Sequence, residues 1–151
     1  MENYIIIQEN DFMKARKKIK ENKNKIIIFS GNDELNRKIL EKEKINILLI
    51  NQVNRKDFQK QRNSGFNQVM AKMAKKNNIV IGINLDEIID SENSKDKSKI
   101  LARIKQNIKL CNKNKLKMKF ISPSGKNQRN IYDLKALGLF LGMPTWMTKQ
   151  F

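Results

Sequence analysis

The sequence predicts an α/β chain: an open or partial barrel of mostly parallel strands with surrounding helices, built as a single domain over residues 1–151. Two observations carry this. Five short runs rich in Ile or Val recur along the chain, each closed by a polar break, and helix-like segments lie between them. Strands that alternate with helices are joined by right-handed β-α-β crossovers, which makes the sheet mostly parallel. Five strands are fewer than the eight that close a standard barrel, so the barrel is open or partial. A chain of 151 residues is one domain by size and can bury a real core.

The elements follow in order. Residues 4–7 form the first strand, and residues 11–21 a helix with Phe12, Ala15 and Ile19 on one side. Residues 25–29 are the second strand. In SGNDELNRKIL, Asn32 or Asp33 stands at the N-cap and Glu34 favours the positive end of the helix dipole; Leu35, Ile39 and Leu40 give residues 33–41 their apolar side. The third strand, 45–50, runs into about fifteen polar residues, NQVNRKDFQKQRNSG, and a loop of that length in a compact domain is functional or disordered. Ser64 is the expected N-cap of a helix over 66–75, Gly65 lets a neighbouring backbone approach, and Val69, Met70 and Met73 read as core. Residues 79–83 are the fourth strand.

SENSKDKSKILARIKQNIKLC opens polar and then becomes periodic, giving a helix from about Ser98 to Asn114. Ile100, Leu101, Ile104, Ile108 and Cys111 fall within about a 100° arc; Lys99, Arg103, Lys109 and Lys113 fall within about 120° on the side read as solvated. The fifth strand, 118–121, leads into a Pro/Gly loop where Lys126, Gln128 and Arg129 sit at its carboxyl end, the functional edge of parallel α/β folds. Tyr132 is expected to pack rather than stack on a base. Leu134, Leu137 and Leu141 mark a core-facing helix ended by Gly142 and Pro144, and Met143, Trp146, Met147 and Phe151 are expected to dock on the core.

Composition bounds the chemistry. Thirty-two Lys and Arg against fifteen Asp and Glu give +17, and a pI near 10.1 points to a polyanionic partner. Nucleic acid ranks above a membrane surface, because the chain has no apolar run of about 18 residues, no N-terminal signal pattern and no lipidation motif. The expected location is cytoplasmic, with the single Cys111 a reduced, buried thiol. Histidine is absent, which removes Ser/His and Cys/His nucleophile systems and His-ligated zinc. No DxD or Walker-type loop appears. Asp57, Asp86, Glu87 and Asp90 are the raw material for an autonomous Mg-dependent nuclease, although acids after a strand more often cap the next helix.

Binding is therefore the main expectation. In the loop, Arg55, Lys56, Lys60 and Arg62 suit phosphates, and Asn54, Gln59, Gln61 and Asn63 suit sugars or bases; Phe58 is expected to staple the loop to the core. This loop and the basic arc of the long helix are expected to share the nucleic-acid load. A general RNA-binding scaffold is the broader alternative.

The blocks RKD, RNSGFNQVMAKMAKKNNIVIGINLDEII, KILARIKQNIKLCNKNKLK and YDLKALGLFLGM, in that order, resemble the archaeal ribonuclease P protein component 3 family, the relative of the eukaryotic thirty-kilodalton ribonuclease P subunit. The resemblance implies a TIM-barrel-like fold and a subunit that assists a catalytic RNA in removing the 5′ leader of precursor tRNA. It implies ribonuclease P RNA and ribonuclease P protein component 2 as partners, Mg²⁺ serving the RNA, and no cofactor or catalytic residue on the protein. Arg55, Lys56, Arg62, Lys72, Arg103 and Lys105 match the family's blocks as RNA contacts; Lys60 and Arg129 join them from their own loops. The family usually carries His where Gln68 stands, so an amide must meet that role here. The family also begins with further β-α units ahead of the first strand. A barrel without them exposes sheet edges, which invites pairing with a partner or another copy. A naturally reduced protein, a split protein completed by a second chain, and a misplaced start all fit that pattern.

Overall fold

The computed structural model describes residues 3–151. These form five strands and seven helices: β1 (Tyr4–Gln8), α1 (Phe12–Glu21), β2 (Ile26–Ser30), α2 (Asp33–Lys42), β3 (Ile47–Ile50), α3 (Gln68–Lys76), β4 (Val80–Asn84), α4 (Leu85–Asp90), α5 (Ser94–Lys113), β5 (Met118–Ile121), α6 (Ile131–Phe140) and α7 (Thr145–Thr148). The strands make one sheet in the order β1-β2-β3-β4-β5. Every neighbouring pair is parallel, so the mostly parallel sheet expected from sequence is wholly parallel.

That order dictates the layering. When each crossover steps to the next strand with one hand, all helices land on one face of the sheet. Alternate strand residues Ile27, Phe29, Leu48, Ile50, Ile81 and Ile83 accordingly share a core with Ala15, Ile39, Met70, Ala74, Ile104 and Ile108 of the helices. On the opposite face Ile28, Ile47 and Leu49 form a second, smaller buried cluster, with Ile6, Val80 and Ile121 against them. Gly82 lies on this inner face opposite Leu49; a Cβ there would press on Ile47 at 3.1 Å and Leu49 at 3.2 Å. Residues of both edge strands, Tyr4 and Ile121, line one trough of ≈ 320 Å³ on this face, so the sheet curls toward a barrel and stays open between β1 and β5.

Five asparagines and one aspartate start helices α1 to α6. Asp11, Asn32, Asn67, Asn84, Asn93 and Asn130 each accept a backbone N–H from the first turn of α1 to α6 in turn. Each such cap stabilises its helix by about 1 kcal/mol. Two starts therefore move from their expected places: Asn67 caps α3 in place of Ser64, and Asn93 begins α5 at Ser94, ahead of Ser98. The short α4 and α7, six and four residues long, give too little periodicity to be read from sequence.

Most expected core positions are buried, including Met70, Leu141 and Cys111, whose thiol pKa burial pushes up. Val69 is an exception; it is exposed on α3. Met143 and Met147 are buried, Trp146 donates its Nε1–H to Asn112 at 3.0 Å, and Phe151 meets Phe120 edge-on at 5.7 Å. The C-terminus docks as expected. Tyr132 does not pack: it is 78% exposed on an outer side of α6 that also shows Leu139 and Phe140. Gln68 exchanges two amide hydrogen bonds with Asn114, at 2.9 and 3.0 Å, tying the start of α3 to the end of α5.

Candidate nucleic-acid interface

β3 ends at the carboxyl edge of the sheet, and the chain then runs irregularly through residues 51–67 before α3. Its backbone is nevertheless fastened. Glu87 of α4 accepts the N–H of Gln52 at 2.6 Å and of Val53 at 2.9 Å. Ser64, at the far end of the loop, is buried; its carbonyl accepts from the Gln52 and Asn107 side chains, and Gln106 reaches its hydroxyl.

Arg103 is the centre of this bracing. It is 3% exposed, with Nε on Asp57 at 3.0 Å, Nη1 on the Gln52 carbonyl and Nη2 on the Arg55 carbonyl, both at 3.0 Å. Burying a guanidinium is costly unless each donor is satisfied, and removing one partner of such a pair costs about 3–5 kcal/mol. The expected exposed arc of α5 therefore loses Arg103, which braces the loop from inside. Lys99, Lys105, Lys109 and Lys113 remain exposed.

Arg55 is a second brace. Its Nη atoms form a bidentate pair with Asp33, both contacts at 2.7 Å, and its Nε donates to the Asn51 carbonyl at 2.7 Å. The guanidinium lies against Gly65, which holds φ +74°; a Cβ there would collide with it. The close approach at Gly65 is thus by a side chain rather than a backbone.

The remaining loop cations face water. Lys56, Lys60 and Arg62 are exposed, Arg62 only loosely paired with Asp57 at 3.7 Å. Phe58, expected to staple the loop, is 62% exposed instead; Phe66 fills the core position at the loop's end. Lys72 and Lys105 lie exposed on α3 and α5. Arg129 borders the trough on the inner face. The eight expected RNA contacts hence separate into a loop cluster (Arg55, Lys56, Lys60, Arg62 and, inside it, Arg103), two helical lysines and one residue beside the trough.

The carboxylates are structural. Arg103, then the Asn63 N–H, holds the Asp57 carboxyl below its ordinary value. Burial raises that of Glu87, against the N–H donors of Gln52 and Val53. For Asp86, burial pushes up but bonds from Ser122, the Ser124 N–H and Asn127 outweigh it and bring the pKa to about 2. Asp90 also accepts from Asn127, at 3.1 Å. Among the described residues no three His, Cys, Asp or Glu side chains are grouped to hold a metal ion, and no helix is long and apolar enough to cross a membrane.

The family model for RNase P subunit p30 matches residues 4–151. Ribonuclease P protein component 3 of Methanococcus maripaludis strain C5 is 29% identical over 140 residues, 93% of this chain and 56% of the relative. That of Methanosarcina mazei is 35% identical over 88 residues, 58% of this chain and 34% of the relative. The chain spans about half the length of the curated relatives it matches. Among solved structures, a chain of archaeal ribonuclease P with mature tRNA, determined by cryo-EM, superposes with a TM-score of 0.80 at 24% identity, covering 97% of this chain and 62% of that one. That likeness shows the fold. With the family model matching from Tyr4 to Phe151, the chain belongs to the RNase P subunit p30 family.

Proposed function

We propose that this chain is a protein subunit of ribonuclease P that assists a catalytic RNA in removing the 5′ leader of precursor tRNA, in the cytoplasm. The observation that carries the reading is the loop 51–67: a family member with net charge +17 presents Lys56, Lys60 and Arg62 to solvent on a backbone braced by buried Arg103 and Glu87. A face that neutralises about six phosphates loses about three decades of affinity between 50 and 200 mM salt. Lys72, Lys105 and Arg129 extend the contact surface. The protein supplies no catalytic group and no cofactor, and Mg²⁺ serves the RNA. Component 2 is the protein partner. The outer side of α6, with Ile131, Tyr132, Leu139 and Phe140 exposed, is the surface we assign to it, since a group of exposed apolar side chains marks an interaction site.

The test is cleavage of precursor tRNA by the cognate RNA and component 2 at limiting magnesium, with and without this protein. Cleavage that needs protein and RNA together supports the subunit. No stimulation contradicts it and leaves the general RNA scaffold; cleavage by the protein without RNA would establish the autonomous nuclease.

A further inference from the structure

Resting on the RNA-binding reading above, we infer that loop 51–67 is a stacking platform for an unpaired nucleobase, with Phe58 as the ring that stacks and Lys56 and Lys60 as clamps on the flanking phosphates. Three observations converge on this. The ring is 62% exposed, although an apolar side chain of that size gains about 1.5–3 kcal/mol by burial and the same loop does bury Phe66.

Its mounting is fixed. The preceding residue, Asp57, is bound through one carboxylate oxygen to Arg103 Nε at 3.0 Å and to the Asn63 N–H at 2.9 Å, and the carbonyl of Arg55 is held by Arg103 as well. A ring on a mobile tip would collapse onto the core or be averaged away; this one is held outward.

Its faces are open. Other aromatic rings carry a cation over one face, Phe12 with Lys38 at 4.6 Å and Phe140 with Lys105 at 5.9 Å. Among the described residues no such partner, and no second ring, lies over Phe58.

The chemistry around the ring selects the occupant. Lys56 and Lys60 stand two residues to either side, exposed, at most about 7 Å along the backbone and so on the scale of one nucleotide. A neutral protein surface would leave this density of positive charge uncompensated. A duplex would satisfy the cations but keep its bases stacked on each other and away from the ring. Only a single strand offers both a free base face and adjacent phosphates, the combination that binds to aromatic side chains in a basic groove.

The experiment measures binding of the full chain to three probes at one salt concentration: an oligouridylate of about ten nucleotides, the same strand with abasic sugars, and a blunt RNA duplex. Phe58→Ala should weaken the oligouridylate about tenfold with an unchanged salt slope and an unchanged melting temperature. Phe58→Trp should restore it. The abasic strand should bind the wild type no better than the oligouridylate binds the alanine variant, and duplex affinity should not move. Equal oligouridylate affinity for Phe58→Ala and wild type would overturn the platform, as would an equal loss on the duplex. Either result would leave the subunit reading standing if the wild type still stimulates precursor-tRNA cleavage; a wild type that fails to stimulate, with stacking intact, would sink the subunit reading alone.

Discussion

Two loops leave the carboxyl edge of this sheet and are held by neighbouring acids of one short helix, yet they are built to different standards. The loop after β5, residues 122–130, turns at Gly125 with φ +75° and is fastened from one helix, by Asp86 through Ser122, the Ser124 N–H and Asn127 and by Asp90 through Asn127. The loop after β3 is nearly twice as long and is fastened three times over, by Glu87 from α4, by Arg103, Gln106 and Asn107 from α5, and by the Arg55–Asp33 pair from α2. Ordering an irregular segment costs roughly 1–2 kcal/mol of entropy per residue, and Arg103 and Glu87 must give up hydration besides. A chain that meets a larger cost at one loop than at its neighbour fixes the shape of the first for a purpose. Here that shape puts cations and one aromatic ring in solvent.

The largest effect expected on the comparison is at Arg103. Arg103→Ala should destabilise the protein by about 3–5 kcal/mol, read from urea unfolding, because it removes the Arg103 donor from Asp57 and from the Gln52 and Arg55 carbonyls. Glu87→Ala should cost about 1–3 kcal/mol and loosen the β3 loop first, seen as faster amide exchange at Gln52 and Val53; unchanged exchange there would mean the loop is held otherwise. Gly65→Ala should cost about 1–3 kcal/mol, since it forces a side chain into a left-handed backbone and against Arg55.

The smallest stability effect separates the two acids by pH. Asp86 has its pKa lowered from 3.8 to about 2, so its contribution is full above 3.8 and lost as pH falls through about 2. Glu87 is raised from 4.5 by burial, so its contribution is full below 4.5 and declines as pH rises through the folded value. Asp86→Asn should therefore flatten the loss of stability between pH 4 and pH 2, relative to wild type, and Glu87→Ala should not. Equal flattening by both would remove the distinction between the loops.

Much of this was legible beforehand because period and composition speak for strands and helices. All five strands lie where Ile-rich runs place them, and the β3 loop stood out by length and charge. The division of labour inside it was hidden. Arg103 reads as one of several cations on a polar arc, and only its position about 40° from Asn107 around the helix, between the apolar and solvated sides, hints that it turns inward; its partners Asp57, Gln52 and Arg55 are some fifty residues away in sequence. Phe58 misled for the complementary reason. An aromatic among polar residues ordinarily anchors a loop, but Phe66, Ser64 and Gln52 already do so.

The central claim is that the braced β3 loop, and not net charge as such, engages RNA. Its most direct test sets Lys56, Lys60 and Arg62 all changed to Glu against Lys14, Lys17 and Lys20 of α1 all changed to Glu, the same change in net charge on exposed residues elsewhere. Affinity for the cognate ribonuclease P RNA would be measured across a salt series. The loop variant should lose at least about two units of the log–log salt slope and the α1 variant less than about one. Equal losses would contradict the claim and reduce the interface to undirected positive charge.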